Sequence, residues 1–345
     1  MPVRWGLLST AAISTELVGP LQQSETSDLI AVASRDAGRA AAYAARHGIP
    51  ASYGSYEDLL NDDAIEAVYI PLPNGLHAEW SRAALEAGKH VLCEKPLTAT
   101  APEAEGLFRL AAERGLFLAE AVMYRHHPQT AELRRLVAEE LGELRSLHAA
   151  FHFPIAALDE DVRSRPELAG GALRDLGSYC ISVLNLLAGE EPSKVVGHAR
   201  LGRRGVDVAF AATMTYADEV TASFDVSMDS PMTLWLVATG SQRSLRVPNP
   251  YQPSLPDLWA PGRCPEEAVL FVRGVEEIVP LPGGNPFLRE IEDFSRAVRG
   301  LPAFVVPAEE TVRTMRTIER LLASAGLSPL HEPLAAASQA ARPVG

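Results

Sequence analysis

The chain has 345 residues, of which 47% are hydrophobic and 22% charged, and this length favours two domains that each bury a core. Its 31 basic and 44 acidic residues give a net charge of −13, which argues against nucleic-acid binding because that binding needs clustered cations. The sequence contains no uncharged apolar run long enough to span a bilayer, so we expect no membrane contact.

The cysteines and the first residues indicate the compartment. Cys93, Cys180 and Cys264 lie far apart and form no CxxC pair, which argues against a disulfide framework or a cysteine-based zinc site. Residues 1–18 lack the basic start and long apolar segment of a signal peptide. We therefore expect a globular protein of the reducing cytoplasm.

Strand-like and helix-like patterns alternate over residues 1–122. This alternation predicts a doubly wound parallel sheet, whose crossovers are right-handed. The expected strands are Val3–Leu8, Leu29–Ala33, Ala67–Leu72, His90–Cys93 and Phe117–Ala121, and the expected helices include Ala37–His47, Ser55–Leu60, Leu76–Ala87 and Pro102–Arg114.

The pattern changes after residue 122. Short alternating strands joined by tight turns predict an α/β domain over residues 123–330, built on a mostly antiparallel open sheet. Pro248–Cys264 is expected to be a loop, and residues 331–345 a C-terminal tail. The expected strands are Arg145–Phe153, Val195–Leu201, Val206–Tyr216, Glu219–Met228, Thr233–Thr239, Ser244–Val247, Val269–Val272 and Glu276–Leu281, and the expected helices are Gln129–Leu141, Ala172–Leu187, Pro286–Val298 and Ala308–Ala325.

A turn of small residues follows the first strand. A dinucleotide fingerprint places glycine at positions 9, 11 and 14, where this chain has Ser9, Ala11 and Ser14. These residues let a pyrophosphate approach the N-terminus of the next helix, but such turns also occur without a nucleotide. The candidate cofactor-binding residues of this turn are Ser9, Thr10, Ala11, Ala12 and Ile13.

The end of the second strand favours NADP(H) over NAD(H). A ribose-binding carboxylate is expected about 20 residues after the turn in NAD-binding proteins, and this chain has Ser34 and Arg35 there. A hydroxyl and a guanidinium suit the 2′-phosphate of NADP(H). The alternative is that Arg35 is a solvated loop residue that binds no phosphate. Asp36 is expected to cap the following helix.

The segment Glu94-Lys95-Pro96 ends a buried strand. Ligands bind at the carboxyl ends of strands in open α/β sheets, so a charged pair at this point indicates a site rather than a chance surface pair. Pro96 stops the strand there.

Several motifs together resemble the Gfo/Idh/MocA oxidoreductases, most closely the branch with dihydrodiol dehydrogenases, xylose dehydrogenases and deoxysugar ketoreductases. The resemblance covers nearly the whole chain and implies a Rossmann domain followed by an α/β domain, whose open sheet face makes a homodimer or homotetramer. The motifs are the Trp5–Ile13 turn, His90–Leu97, Ala119–Gln129, Gly170–Tyr179 and Gly189–Pro192.

The resemblance implies a catalytic set of Lys95, Asp175 and Tyr179. Asp175 and Tyr179 are four residues apart, so one helix face would present both. Hydride transfer at a carbon that bears oxygen needs a positioned acid/base, and Tyr179 would serve if Lys95 lowered its pKa towards neutrality. Without the Lys95 motif, a buried tyrosine and a solvated aspartate would be the simpler interpretation.

Further residues are expected around the cofactor and substrate. We expect no catalytic metal, because His148 and His152 would stand about 13 Å apart on a strand. The further candidates are Pro71, Leu72, Asn74, His77, Glu94, Lys95 and Arg163 for the cofactor, and Lys95, Tyr124, Arg125, Phe153, Arg163, Asp175 and Tyr179 for the substrate.

The function expected from these residues is NADP-dependent hydride transfer between the nicotinamide and a carbinol or carbonyl carbon of a sugar or nucleotide-linked sugar. The direction of transfer stays open. Two alternatives remain: a trans-dihydrodiol dehydrogenase, which Phe151 and Phe153 permit, and a non-catalytic dinucleotide-sensing regulatory protein.

Overall fold

The first part of the chain forms a parallel six-stranded sheet. Its strands are β1 (Val3–Leu7), β2 (Ser27–Ala33), β3 (Ala51–Tyr53), β4 (Ala67–Ile70), β5 (His90–Glu94) and β6 (Leu118–Ala121), and its helices are α1 (Ser14–Gln23), α2 (Ala37–His47), α3 (Tyr56–Leu60), α4 (Asn74–Glu86) and α5 (Ala101–Arg114). The order β3-β2-β1-β4-β5-β6 is that of a Rossmann fold, as predicted. The computed structural model describes residues 1–253, 267–272, 275–281 and 283–328, with the backbone alone over 267–276.

Local signals in the sequence account for the ends of these helices. Asp36 caps α2 as predicted, accepting the Arg39 N–H at 2.8 Å, and Gly48 ends it with φ of +66°. Ser55 caps α3 by accepting the Asp58 N–H at 3.0 Å. The short strand β3 was not predicted, because three residues are too few for an alternating pattern to show.

The second part contains an eight-stranded mixed sheet. Its elements are α6 (Pro128–Glu140), β7 (Leu144–His152), α7 (Ser178–Ala188), β8 (Lys194–Leu201), β9 (Asp207–Thr215), β10 (Thr221–Ser227), β11 (Thr233–Gly240), β12 (Ser244–Val247), β13 (Glu267–Val272), β14 (Val275–Pro280), α8 (Pro286–Val298) and α9 (Ala308–Ser324). The strand order is β14-β13-β12-β11-β7-β10-β9-β8. Among the described strands of this second sheet, β7 and β10 pair in parallel and the other neighbours pair antiparallel. The predicted α/β class and mostly antiparallel sheet are confirmed.

The helix predicted over Ala172–Leu187 has two parts. Residues Leu173–Gly177 form a π-helical turn, which leads without a break into α7. A π turn widens the helix locally and often occurs at functional sites. It sets Asp175 and Tyr179 at a different relative angle from that of a regular helix.

Helix α8 returns to the first sheet. Trp5 on β1 donates its indole N–H to Ser295 at 3.1 Å and packs against Phe294. At the end of α8, Arg299 pairs with Glu66 at 2.8 Å. Helix α8 therefore packs against the six-stranded sheet, although it lies in the second part of the chain. The domain boundary at residue 122 remains a prediction.

Some expectations concern residues outside this description. Cys264, most of the predicted loop Pro248–Cys264 and the predicted tail over 331–345 lie outside the described residues. Among the described helices, none has both the length and the apolar character needed to cross a membrane.

Candidate active site

A cleft of about 390 Å³ lies where β1, β4 and β5 end, at the carboxyl edge of the parallel sheet. The second part of the chain closes it with the end of β7, the loop around Arg163, and the start of α7. Its lining residues are Ser9, Ala11, Ala12, Ile13, Pro71, Leu72, Pro73, Asn74, Glu94, Lys95, Phe151, Phe153, Val162, Arg163, Leu168, Gly170, Asp175, Leu176, Tyr179 and Gln252.

Asp175 links two cations inside the cleft. Lys95 Nζ lies 2.9 Å from Asp175 Oδ1, and Arg163 Nε lies 2.9 Å from Asp175 Oδ2. Burial opposes ionisation of Asp175, but Lys95 and Arg163 outweigh it and hold the pKa of Asp175 at about 2. Asp175 is therefore an anion at neutral pH and cannot itself donate a proton.

Tyr179 lies beside this ion pair. Lys95 Nζ stands 4.7 Å from the centre of the Tyr179 ring, and the Tyr179 hydroxyl faces Met123 Sδ at 3.7 Å. The rings of Phe151 and Tyr251 pack against it, with centroids at 5.4 and 5.8 Å. This aromatic packing fixes the ring of Tyr179 where that residue lines the cleft.

The expected lowering of the Tyr179 pKa is wrong for the protein alone. Burial, followed by the charges of Glu94 and Asp175, raises the pKa of Tyr179 well above its ordinary value. The prediction counted the cation of Lys95 but not the two carboxylates that the fold brings to the same place. Tyr179 is a phenol at neutral pH, a form that can donate a proton.

Two glycines place Arg163 against the start of the π turn. A Cβ on Gly170 would stand 2.2 Å from the Arg163 carbonyl oxygen, so only glycine fits there. Gly171 has φ of +118° and donates its N–H to the same carbonyl at 2.9 Å. The Gly170-Gly171 pair therefore positions the guanidinium that holds Asp175.

Glu94 forms the wall of the cleft next to Lys95. Its Oε1 accepts the Tyr69 hydroxyl at 2.5 Å, and its Oε2 accepts the Lys95 N–H at 3.2 Å. Burial raises the pKa of Glu94, although Lys95 and Tyr69 act against this. The position of Glu94 at the end of β5 is as predicted.

A second cavity, of about 310 Å³, adjoins the cleft and shares Ser9 and Ala11 with it. It is lined by Ser9, Thr10, Ala11, Ser34, Arg35, Asp36, Arg39 and Tyr56. Ser34, Arg35 and Arg39 place a hydroxyl and two guanidinium groups where the adenosine ribose of a dinucleotide would lie, while the N-terminus of α1 and small side chains lie between the two spaces. These residues fit an NADP(H) molecule that extends along both spaces.

Three of the predicted site residues do not line either space. His77 is fully buried, and its ring nitrogens face the carbonyl oxygens of Leu72 and Pro96. Arg125 points away and pairs with Glu310 at 2.7 Å. Tyr124 is buried and donates to Ser182 at 2.8 Å, so it supports the Tyr179 ring from behind. These three side chains serve the packing around the cleft.

Several lining residues were not predicted, among them Arg39, Leu168, Leu176 and Gln252. Arg39 follows Arg35 by one helical turn of α2, so its spacing from Arg35 was a usable signal. Leu168, Leu176 and Gln252 carry no pattern that distinguishes them from core or loop residues. Only the tertiary fold brings them to the cleft.

The described residues contain no group of three or more His, Cys, Asp or Glu side chains that could hold a metal ion. His148 and His152, the pair considered above, bind different partners on the neighbouring strand. His148 contacts Ser223, and His152 contacts Asp225.

Comparison with known proteins identifies the family. A family model described as the oxidoreductase family with an NAD-binding Rossmann fold, GFO/IDH/MocA, matches residues 3–122, and the model of the GFO/IDH/MocA C-terminal domain matches residues 130–246. The chain belongs to the Gfo/Idh/MocA oxidoreductase family. The resemblance inferred from the motifs is thus confirmed, and so is the oxidoreductase class.

Its relatives include sugar and diol enzymes. The chain is 40% identical to an NADP(+)-dependent D-xylose 1-dehydrogenase of Haloferax volcanii, over 93% of this chain and 97% of that protein. It is 35% identical to trans-1,2-dihydrobenzene-1,2-diol dehydrogenase of Sus scrofa, over 82% and 81%. A 3-ketoreductase of Actinomadura kijaniata, solved with NADP and TDP-benzene, superposes with a TM-score of 0.86 at 33% identity, covering 94% and 98%.

Proposed function

We propose that this protein is an NADP-dependent oxidoreductase that acts on a carbinol or carbonyl group of a sugar or sugar derivative. One observation carries the proposal: Lys95, Asp175 and Tyr179 converge in a cleft that continues into a cavity with Ser34, Arg35 and Arg39. The first space suits a hydroxylated substrate, and the second suits a 2′-phosphate.

The side chains divide the chemistry between them. A bound nicotinamide supplies the hydride acceptor or donor. Tyr179 exchanges the proton on the substrate oxygen, and the Lys95 ammonium stabilises negative charge on that oxygen. Asp175 holds Lys95 in position. Because its carboxylate is ionised at neutral pH, Asp175 can also accept a hydrogen bond from a neighbouring sugar hydroxyl.

The substrate is proposed to be a free aldose or a nucleotide-linked ketosugar. The relative in Haloferax volcanii is named for D-xylose, and the ketoreductase of Actinomadura kijaniata is named for a dTDP-linked deoxysugar and was solved with TDP-benzene. The same proton-transfer residue serves either direction, since Tyr179 donates during reduction and accepts during oxidation.

A trans-dihydrodiol is the second candidate substrate. Apolar side chains face the cleft beside the polar set, and they would pack against an unsaturated ring. They are Phe151, Phe153, Val162, Leu168 and Leu176. Their presence in the same cleft as Tyr179 favours this alternative more than the sequence alone does.

The proposal includes self-association in the cytoplasm. Helices α7 and α9 pack on one face of the eight-stranded sheet, and we propose that the opposite face joins two or four copies. The described cysteines, Cys93 and Cys180, are free and buried, which fits a reducing compartment. Size-exclusion chromatography with light scattering would test the assembly, and a monomer would contradict it.

The test of function follows nicotinamide absorbance with NADP(H) and NAD(H). The substrate panel should contain D-xylose and other aldoses, dTDP-linked ketosugars and trans-1,2-dihydrobenzene-1,2-diol. Turnover with a sugar and NADP(H) would support the proposal, and turnover only with the diol would support the alternative. Tight NADP(H) binding without turnover across the panel would favour a non-catalytic sensor instead.

A further inference from the structure

A small cavity lies behind the proposed catalytic pair of Lys95 and Tyr179. It has a volume of about 10 Å³, and both residues of the pair line it. Both also line the cleft, so these two side chains form the partition between the two spaces. The remaining lining residues of the small cavity, which we call the back cavity, are Glu120, Val122, Ser178, Ser182 and Thr314.

The back cavity has the size and the polarity of a site for one water molecule. A buried water needs roughly 10–15 Å³ of space and about two to four polar partners. The back cavity offers an ammonium group, a carboxyl group and three hydroxyl groups, from Lys95, Glu120, Ser178, Ser182 and Thr314. Glu120 and Thr314 are only 4% and 5% exposed, so a water bound between them would be part of the folded structure.

Lys95 has a hydrogen-bond donor for such a water. Its ammonium group carries three N–H donors. Asp175 accepts two of them, at Oδ1 over 2.9 Å and at the main-chain carbonyl over 2.7 Å. Because Lys95 borders both spaces, the third N–H can be donated to a substrate oxygen in the cleft or to a water in the back cavity.

Glu120 already holds the chain next to Lys95. Its Oε1 accepts the Leu97 N–H at 3.0 Å, and its Oε2 accepts the Thr311 hydroxyl of α9 at 2.9 Å. Burial raises the pKa of Glu120 to about 7, and its two hydrogen bonds act against this, so the carboxylate is well populated at neutral pH. Each carboxylate oxygen has a second lone pair, so Glu120 can accept a water in addition to these donors.

We propose that the back cavity binds one water that accepts a hydrogen bond from Lys95 and donates one to Glu120, which makes Glu120 a positioning residue for the lysine. Glu120 then holds Lys95 in two ways, through the main chain at Leu97 and through the water behind the ammonium group. The water keeps the ammonium group beside Tyr179 while no substrate oxygen is bound. The effect on turnover rests on the proposed function, whereas the water site itself does not.

The first test needs neither substrate nor cofactor. A crystal structure of the native protein, at a resolution that shows ordered waters, should contain one water in the back cavity within hydrogen-bond distance of Lys95 Nζ and of a Glu120 carboxyl oxygen. Thr314→Val keeps the side-chain volume but removes one polar partner, so the electron density of the water should weaken or disappear in this variant. A native back cavity without a water, or with a water that misses either Lys95 or Glu120, would overturn the proposal.

The low lysine content of the chain permits a second test in solution. The sequence contains three lysines, Lys89, Lys95 and Lys194, so the ammonium signals of protein labelled with nitrogen-15 lysine can be assigned one by one in NMR spectra. Glu120→Gln removes the negative charge behind Lys95 and should move its signal, while the other two signals stay in place. Glu113→Gln, which changes an exposed glutamate of α5, should move none of them. An unmoved Lys95 signal in Glu120→Gln would refute the link between the two side chains.

Steady-state kinetics test the positioning role. Glu120→Gln should lower kcat about 10-fold and leave the KM for the sugar and the affinity for NADPH within about 2-fold, because a small displacement of a group at the reacting atoms slows the chemical step. Thr314→Val should lower kcat as well, and it decides the matter if Glu120→Gln does not fold. Thr317→Val changes a buried threonine of the same helix that does not line the back cavity, and it should keep the native kcat.

The two proposals can fail separately. Absence of turnover in the native protein with every sugar and diol would refute the proposed function, while the crystal structure and the Lys95 signal would still decide whether the water joins Lys95 to Glu120. Native kcat in both Glu120→Gln and Thr314→Val would leave the sugar oxidoreductase in place and remove the positioning role. A purely structural role for Glu120 would lower thermal stability without lowering kcat, and this result would also overturn the proposal.

Discussion

Lys95 Nζ donates to Asp175 at two points, to Oδ1 at 2.9 Å and to the main-chain carbonyl at 2.7 Å. Lys95 comes from the end of β5, and Asp175 from the π-helical turn before α7, so this contact joins the parallel sheet to the second part of the chain. The contact therefore fixes Lys95 relative to the side of the cleft that the second part of the chain provides.

Asp175→Asn should lower kcat/KM about 100-fold. It removes the anion that compensates Lys95 and Arg163, so the lysine loses its fixed position against the substrate oxygen. Steady-state kinetics with the best substrate of the panel would measure this. Asp161→Asn is the matched control, because Asp161 contacts Arg163 at 3.3 Å and does not contact Lys95. An equal loss of kcat/KM in both variants would show that the position of Arg163, rather than the contact between Lys95 and Asp175, determines the activity.

Tyr179→Phe should lower kcat/KM by about 100- to 10,000-fold, the usual contribution of an acid/base group, and leave the affinity for NADPH within about 2-fold. Fluorescence titration would measure the affinity. Unchanged turnover would show that another group moves the proton.

The pH dependence of the native protein should differ between the two directions. Because burial and nearby carboxylates raise the pKa of Tyr179, its phenolate fraction grows with pH above neutrality. Oxidation, which needs the phenolate, should therefore accelerate from pH 7 to 10, while reduction, which needs the phenol, should stay level there. Initial rates in both directions would measure this, and a bell-shaped oxidation profile centred near pH 7 would contradict it.

The sequence predicted the parallel sheet well because its signals are local. Strands β1, β4 and β5 are short apolar runs, and Asp36 and Ser55 mark helix starts by side-chain chemistry that needs no tertiary contact. Glu94 and Lys95 could be assigned to a site because ligands bind at the carboxyl ends of the strands in such a sheet.

The rest depends on contacts between distant segments. Burial raises the pKa of Tyr179, and the charges of Glu94 and Asp175 raise it further. Glu94 lies 85 residues away along the chain, and no local pattern in the sequence indicates that the fold brings it beside Tyr179. Arg125 was expected at the cleft because its neighbours belong to a motif, yet the turn after β6 directs it to Glu310. Motif membership predicted the region but not the direction of each side chain.

Arg35→Ala and Arg39→Ala should each raise the KM for NADP+ about 10- to 100-fold and leave the KM for NAD+ nearly unchanged. Each removes a guanidinium from the cavity that suits the 2′-phosphate, and a hydrogen bond to a charged group contributes about 1.5–3 kcal/mol. Initial rates with both cofactors would measure this. Arg46→Ala, in the last turn of α2, should change neither value. An equal rise in KM for NADP+ and NAD+ would mean that the arginines maintain the shape of the cavity without binding the 2′-phosphate.

Glu66 links the start of the chain to the end of α8, and it should make the free energy of unfolding depend on pH in the acidic range. Its hydrogen bonds to Arg299, opposed by partial burial, lower its pKa from 4.5 to about 2. A carboxylate whose pKa is lower in the folded state stabilises it above pH 4.5, and this stabilisation is lost as pH falls towards 2. The side chain is 27% exposed, so solvent screening leaves a contribution of about 1 kcal/mol at pH 7.

Urea unfolding of Glu66→Gln would measure this contribution. The variant should lose about 1 kcal/mol relative to the native protein at pH 7, and the difference should shrink by more than half at pH 3, where the unfolded glutamate is already protonated. Glu57→Gln changes an exposed glutamate of α3 and should have no such pH-dependent effect. A difference of the same size at both pH values would mean that the glutamine disturbs packing, since only loss of the ion pair with Arg299 disappears on protonation.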